Sequence, residues 1–167
     1  LRDIVLGGEY RTREGGGYEF VEGFGERYMA DLANRPKLTR KLKVVAACGN
    51  GTAGAFAPDV LDRVGCEVIP LDTDLDFSFP RYNPNPEDMK MLHVLADTVR
   101  ETGADVGFGF DGDGDRCGVV DNTGEEIYAD KIGLMLARDL SKNYKDATFV
   151  VDVKSTCLLY TSPSPRD

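Results

Sequence analysis

At 167 residues, 41% hydrophobic and 29% charged, the chain can form one well-cored domain plus appendages, with an ordinary globular composition. Its formal net charge of −9 argues against nucleic acid and anionic membrane as partners, and no apolar run is long enough for a transmembrane helix or reads as a signal peptide. Cys48, Cys66, Cys117 and Cys157 show neither metal nor disulfide spacing, so a reducing cytoplasm is the expected location.

Because the first residue is Leu1 rather than methionine, the chain is expected to be a piece of something longer. Residues 1–41 read as a connector from a preceding domain. Glycines at 7, 8, 15, 16, 17, 23 and 25 punctuate them, Tyr28, Met29 and Leu32 suggest a short helix ending near Asn34, and Arg35 to Lys43 is a solvated basic face. The compact domain is expected over 42–156. It opens with an apolar strand, Val44–Ala47, followed by a glycine-rich turn and a helix whose stripe is Phe56, Val60, Leu61 and Val64, closed by Gly65. A second strand, Cys66 to Leu71, ends in Asp72. Formally this is G-x-G-x-x-G (Gly49, Gly51, Gly54) after a strand, with an acid ending the next strand. That pattern fits a dinucleotide site but is weak alone, because any tight strand-to-helix turn selects glycine for packing.

A proline-containing loop leads to Asn85-Pro86-Glu87-Asp88, read as a helix start with Asn85 as the cap. Met89, Leu92, Ala96 and Val99 form the expected buried stripe, with His93, the only histidine, on its margin, and Gly103 closes the helix. The next strand, Val106 to Phe110, alternates large residues with glycine, as a strand does when one face lets a helix approach. Beyond it, Cys117–Val120 and Glu126–Tyr128 flank a hairpin turn at 121–124. A helix capped by Asp130 with Ile132, Met135, Leu136 and Leu140 facing inward is expected next, then a last strand over 148–153. This order predicts an α/β fold: a three-layer α/β/α domain with a mostly parallel mixed sheet.

The chemistry concentrates in Asp111-Gly112-Asp113-Gly114-Asp115-Arg116. Glycine lets the backbone curl so that three carboxylates converge. Two carboxylates ~5 Å apart repel by roughly 3 kcal/mol at an effective dielectric near 20, so the loop calls for a divalent cation. All-oxygen ligands in a short loop suit Mg²⁺, and Arg116 offers a planar fork that matches a phosphate. An EF-hand would need glycine and glutamate where Arg116 and Asn122 stand. Phosphatases with an aspartate nucleophile usually continue with Gly-Thr where this chain has Gly114-Asp115, and zinc would want more than Cys117.

Residues 44–54, 103–116 and 151–156, in order and at the expected spacing, resemble the α-D-phosphohexomutases, and most closely the bacterial phosphomannomutase/phosphoglucomutase group. The resemblance covers about 26 to 156 and is similar to the second of that family's four domains, so it implies a phosphoglucomutase domain-II-like fold. It makes the glycine turn a structural strand-to-helix loop. It also implies an intramolecular phosphotransferase whose phosphoserine exchanges phosphate with a hexose phosphate (mannose or glucose) through a bisphosphate intermediate, moving phosphate between O1 and O6. In that setting Asp111, Asp113 and Asp115 would hold Mg²⁺, Arg116 would hold the phosphoryl group, and Lys154 would point into the same cleft.

The chain departs from the family in two ways. No serine here (Ser78, Ser141, Ser155, Ser162, Ser164) has the neighbours of the family's phosphoserine loop, so the chain alone is expected to be inactive. Residues 157–167 break off the resemblance and read as foreign sequence, with a native disordered tail as the alternative. Two other functions remain open at this level: a stand-alone Mg²⁺- or Ca²⁺-binding module, and a dinucleotide-binding domain.

Overall fold

The computed structural model describes residues 1–8, 11, 13–35, 38–86, 88–153 and 155. In chain order the elements are α1 (Arg2–Gly7), α2 (Phe24–Ala33), β1 (Lys43–Ala47), a 3₁₀ turn (Thr52–Ala55), α3 (Ala57–Val64) and β2 (Glu67–Leu71). They continue with α4 (Met89–Thr102), β3 (Val106–Phe110), β4 (Cys117–Asp121), β5 (Glu126–Ile127) and α5 (Ala129–Asn143).

The strands form one sheet in the order β2-β1-β3-β4-β5. β1 pairs in parallel with β2 and β3, β4 is antiparallel to β3, and β5 is antiparallel to β4. Among the described residues, β4 alone therefore runs against the other strands, as the predicted mostly parallel mixed sheet requires. The crossover from β1 to β2 and the one from β2 past β1 to β3 run in opposite directions along the sheet, and right-handed connections then put their helices on opposite faces.

The glycines of β3 show how one face is built. A Cβ on Gly107 would lie 2.7 Å from Leu95 Cδ1 and 2.8 Å from Val99 Cγ2, and one on Gly109 would lie 3.3 Å from Leu95 Cδ2 and from Met91 Cε. Strand side chains alternate between faces, so α4 seats its apolar ridge on the glycine side. Met91, Leu92, Leu95, Ala96 and Val99 are buried there with Val45, Ala47 and Val120. α3 covers the other face beside β2. Outside it lies α2, tied on by two hydrogen bonds of 3.0 Å from the Arg63 guanidinium to the Glu26 carboxylate and by an edge-on Tyr28–Phe56 ring contact.

Several expectations need correction. α4 begins at Met89, and its cap is Asp88, whose side chain accepts from Lys90 N at 2.8 Å. Asn85 lies a turn too early to cap it. Met89 is exposed, while Met91 and Leu95 join the buried face. Phe56 precedes α3 and is exposed, and no residue of α3 is fully buried. α1 is a short helix, without a buried residue, inside the stretch read as a connector.

At the other end, α5 starts at Ala129 with Tyr128 in the cap position, so Asp130 lies in its first turn and does not cap it; the helix buries none of its residues, leaving Met135, Leu136 and Leu140 exposed. Residues 148–153 form no strand, and Val150 is 95% exposed. Helical periodicity identifies an apolar face but not what it packs against. No residue of α5 is buried against the sheet, so the helix does not anchor the chain that follows it to a sheet edge.

The start of β3 is pinned electrostatically. Asp105 accepts from Arg40 Nη2 at 2.7 Å and from Lys43 N at 2.8 Å, and these bonds hold its carboxyl below the usual carboxylate range. A depressed folded-state pKa contributes stability above the unfolded pKa and loses it as pH falls through the folded value. Asp105→Asn is therefore expected to lower the urea midpoint at neutral pH and to match the parent chain in strong acid. An equal deficit at both pH values would show that the charge is immaterial.

Candidate metal centre

β3 delivers its carboxyl end into the aspartate loop, beside the carboxyl end of β1, where open α/β sheets gather ligands. Gly114, at φ 78°, turns the chain and donates its N–H to Asp111 O at 3.1 Å, closing the loop on itself. The turn after β1 holds it from below: Thr52 donates to Gly112 O from its backbone N at 3.0 Å and from Oγ1 at 3.2 Å. Gly51 must be glycine there, because a Cβ would lie 2.8 Å from Gly112 O.

As a result, one carboxylate oxygen from each of Asp111, Asp113 and Asp115 lies within 4.8 Å of the others. Asp111 is 2% exposed, and Asp113 and Asp115 face solvent. Arg116 answers Asp111 directly. Its backbone N donates to Oδ1 at 3.0 Å and its Nε to Oδ2 at 2.7 Å, while its Nη1 donates to Asn85 Oδ1 at 3.3 Å. Burial pushes the Asp111 carboxyl up, but the bonds and charge of Arg116 outweigh it and hold it below its ordinary value. Asp115 goes the other way, raised by the neighbouring charges of Asp113 and then Asp111. One guanidinium thus faces three carboxylates in an all-oxygen donor set, and this fits a hard divalent cation.

The four loop residues predicted for the site are therefore brought together, with Arg116 braced on Asp111. Lys154 and the segment 157–167 lie outside the described residues. His93 is exposed on α4, away from the buried stripe. The dinucleotide reading fails on geometry. Asp72, the acid in that fingerprint, accepts from Arg81 Nη1 at 2.9 and 3.0 Å and from Tyr82 OH at 2.5 Å. The space beside the glycines is filled by the chain itself: Pro84 lies 2.6 Å from a Cβ on Gly49, and Thr73 O lies 2.0 Å from one on Gly54.

Sequence reading missed the contributions of Thr52 and Asn85. Thr52 carries no signal of its own, but Asn85 stands between two prolines, a placement that fixes a backbone. A cavity of about 480 Å³ opens beside the loop on the α3 face, lined by Tyr28, Leu32, Phe56, Val60 and Phe110 and bordered by Thr52, Asp113 and Gly114.

The profile of a family described as phosphoglucomutase/phosphomannomutase, alpha/beta/alpha domain II, matches residues 26–124. A Pseudomonas putida phosphomannomutase/phosphoglucomutase is 46% identical over 131 residues, covering 78% of this chain and 28% of its own length. A Neisseria meningitidis phosphoglucomutase is 38% identical over 132 residues, covering 79% of this chain and 29% of its own. Among solved structures, a phosphoglucomutase/phosphomannomutase family protein from Burkholderia thailandensis superposes with a TM-score of 0.77 at 34% identity, over 86% of this chain and 31% of that one. The chain thus spans under a third of the length of the relatives it matches.

Proposed function

The chain belongs to the phosphoglucomutase/phosphomannomutase family, matching its α/β/α domain II, and on that premise we propose that it supplies the Mg²⁺ site of a phosphohexomutase. The parent reaction moves phosphate between O1 and O6 of a hexose phosphate, mannose or glucose, through a phosphoserine and a bisphosphorylated sugar. One observation carries the reading: three aspartate carboxylates within 4.8 Å of one another at the end of a central strand, braced by a single arginine.

Asp111, Asp113 and Asp115 would hold Mg²⁺, which when bound offsets the negative charge of a phosphoryl group in transfer. The chain's own residues do the rest. Asp111 fixes the Arg116 guanidinium through Nε, so that its fork can meet a phosphoryl oxygen. Thr52 and Gly51 keep the loop seated on the turn after β1. The nucleophile and the groups that select the sugar come from elsewhere in the parent protein.

The test is a transplant. Residues 26–124 replace the segment they match in the Pseudomonas putida relative, and mutase turnover is assayed. The chimera is expected to retain activity, and a folded but inactive chimera would overturn the proposal. The purified 167-residue chain is expected to convert neither mannose 1-phosphate nor glucose 1-phosphate. Turnover above background would show that it contains its own nucleophile.

A further inference from the structure

Asn85 sits on an unusually constrained stretch of loop. Pro86 biases the backbone of Asn85 toward extended conformations, and Pro84 fixes its own φ on the other side. Both prolines are seated on glycines. A Cβ on Gly49 would lie 2.6 Å from Pro84 Cβ, one on Gly112 would lie 3.4 Å from Pro84 Cγ, and one on Gly118 would lie 2.8 Å from Pro86 Cβ. Upstream, the buried Tyr82 and the neighbouring Arg81 tie the loop to Asp72 at the end of β2. The Asn85 amide is therefore a fixed point projecting from a wedged loop, and Asp88, not Asn85, caps the following helix.

The group it meets is Arg116. The guanidinium is half-exposed, and among its bonds are two from different nitrogens to acceptors on separate parts of the fold: Nε to Asp111 at 2.7 Å and Nη1 to Asn85 Oδ1 at 3.3 Å. A bond from Nε alone does not set the plane, whereas a second bond from Nη1 constrains its rotation. A planar fork recognises phosphate only when its plane is set, because paired N–H groups must meet paired oxygens.

We propose that Asn85 is a positioning residue for Arg116, setting the plane of its guanidinium for a phosphoryl group beside the cation site. This rests on the reading of Arg116 as a phosphate ligand given above. Asn85 itself touches neither phosphate nor metal; it acts through Arg116.

The experiment uses the 167-residue chain and nitrogen-15 NMR to measure the rate of rotation about the Arg116 Nε–Cζ bond. Asn85→Leu keeps the bulk and removes the acceptor, while Asn85→Asp keeps an acceptor oxygen. Losing one hydrogen bond of ordinary strength should speed rotation by about twofold to tenfold in Asn85→Leu, and Asn85→Asp, whose carboxylate is the stronger acceptor, should not speed it. Asn85→Ala makes the same test if leucine distorts the loop. In parallel, inorganic phosphate is titrated in the presence of Mg²⁺. Asn85→Leu is expected to weaken it by about the same factor, and to have no further effect in an Arg116→Ala background. Unchanged rotation in folded Asn85→Leu and Asn85→Ala would overturn the proposal, as would an equal loss of phosphate affinity with and without Arg116. If the parent chain binds no phosphate at all, the phosphate role of Arg116 falls, and the rotation rates still decide whether Asn85 fixes it.

Discussion

Replacing Asp113 by asparagine is expected to weaken Mg²⁺ binding by about a hundredfold and to leave the unfolding midpoint where it was. A divalent ion and one carboxylate about 3 Å apart attract by about 2.8 kcal/mol even at the dielectric of water, and that is a factor of about a hundred in affinity. The amide keeps an oxygen ligand, so what is lost is the charge. Stability should not fall, because Asp113 is exposed and stands among like charges whose repulsion its removal relieves. Asp111→Asn would differ, since it would also strip Arg116 of a charged partner at 2.7 Å. Calorimetric titration and urea unfolding of the Asp113 variant separate the two effects. Binding within a few-fold of the parent would mean that the cation is held elsewhere. Protons compete with the cation for these carboxylates, so affinity should climb as pH rises through the carboxylate range.

Gly54→Ala is expected to destabilise the chain by about 3 kcal/mol or more, at the upper end of what overpacking does. The added Cβ would stand 2.0 Å from Thr73 O, 2.8 Å from Thr73 C and 3.1 Å from Thr73 Cα. These are backbone atoms, so no rotamer change relieves the clash. Thr73 cannot withdraw easily either, because Asp72 O accepts from Asn50 N at 2.7 Å and Asn50 Nδ2 donates to Asp74 O at 2.8 Å. The turn must move, and it carries Thr52, which supports the metal loop. Mg²⁺ affinity should therefore fall along with the urea midpoint. A loss under about 1 kcal/mol would show that the 72–76 loop yields, and the turn would then be a poor foundation for the site.

These cases show what the sequence could and could not say. The aspartate loop was legible because its chemistry is local: a strand ends, glycines alternate with carboxylates, and the repulsion calls for a cation whatever surrounds it. The strand and helix order was legible for the same reason, since right-handed crossovers leave few arrangements. The glycine turn was ambiguous, because a fingerprint for phosphate and a fingerprint for close packing use the same residue. Only Thr73 O and Gly112 O, far along the chain, decide between them. Asn85 was misread because a cap preference and a guanidinium acceptor are both properties of an asparagine side chain, and Asp88 three residues on was the better cap. The region after β5 was illegible in a deeper sense. The stripe on α5 predicts a helix correctly and says nothing about what covers it, so the expected strand over 148–153 had no support beyond its own apolar residues.

That uncovered stripe sets the colloidal behaviour of the chain. With a net charge of −9, molecules in dilute buffer repel over about 30 Å at 0.01 M salt, but over only about 3 Å at 1 M. Salt therefore removes the barrier that keeps the Met135, Leu136 and Leu140 surfaces of neighbouring molecules apart, and sulfate or phosphate would also strengthen the apolar attraction between them. Low ionic strength is expected to keep this chain dispersed, and concentrated salt to drive it together, which light scattering across a salt series would check.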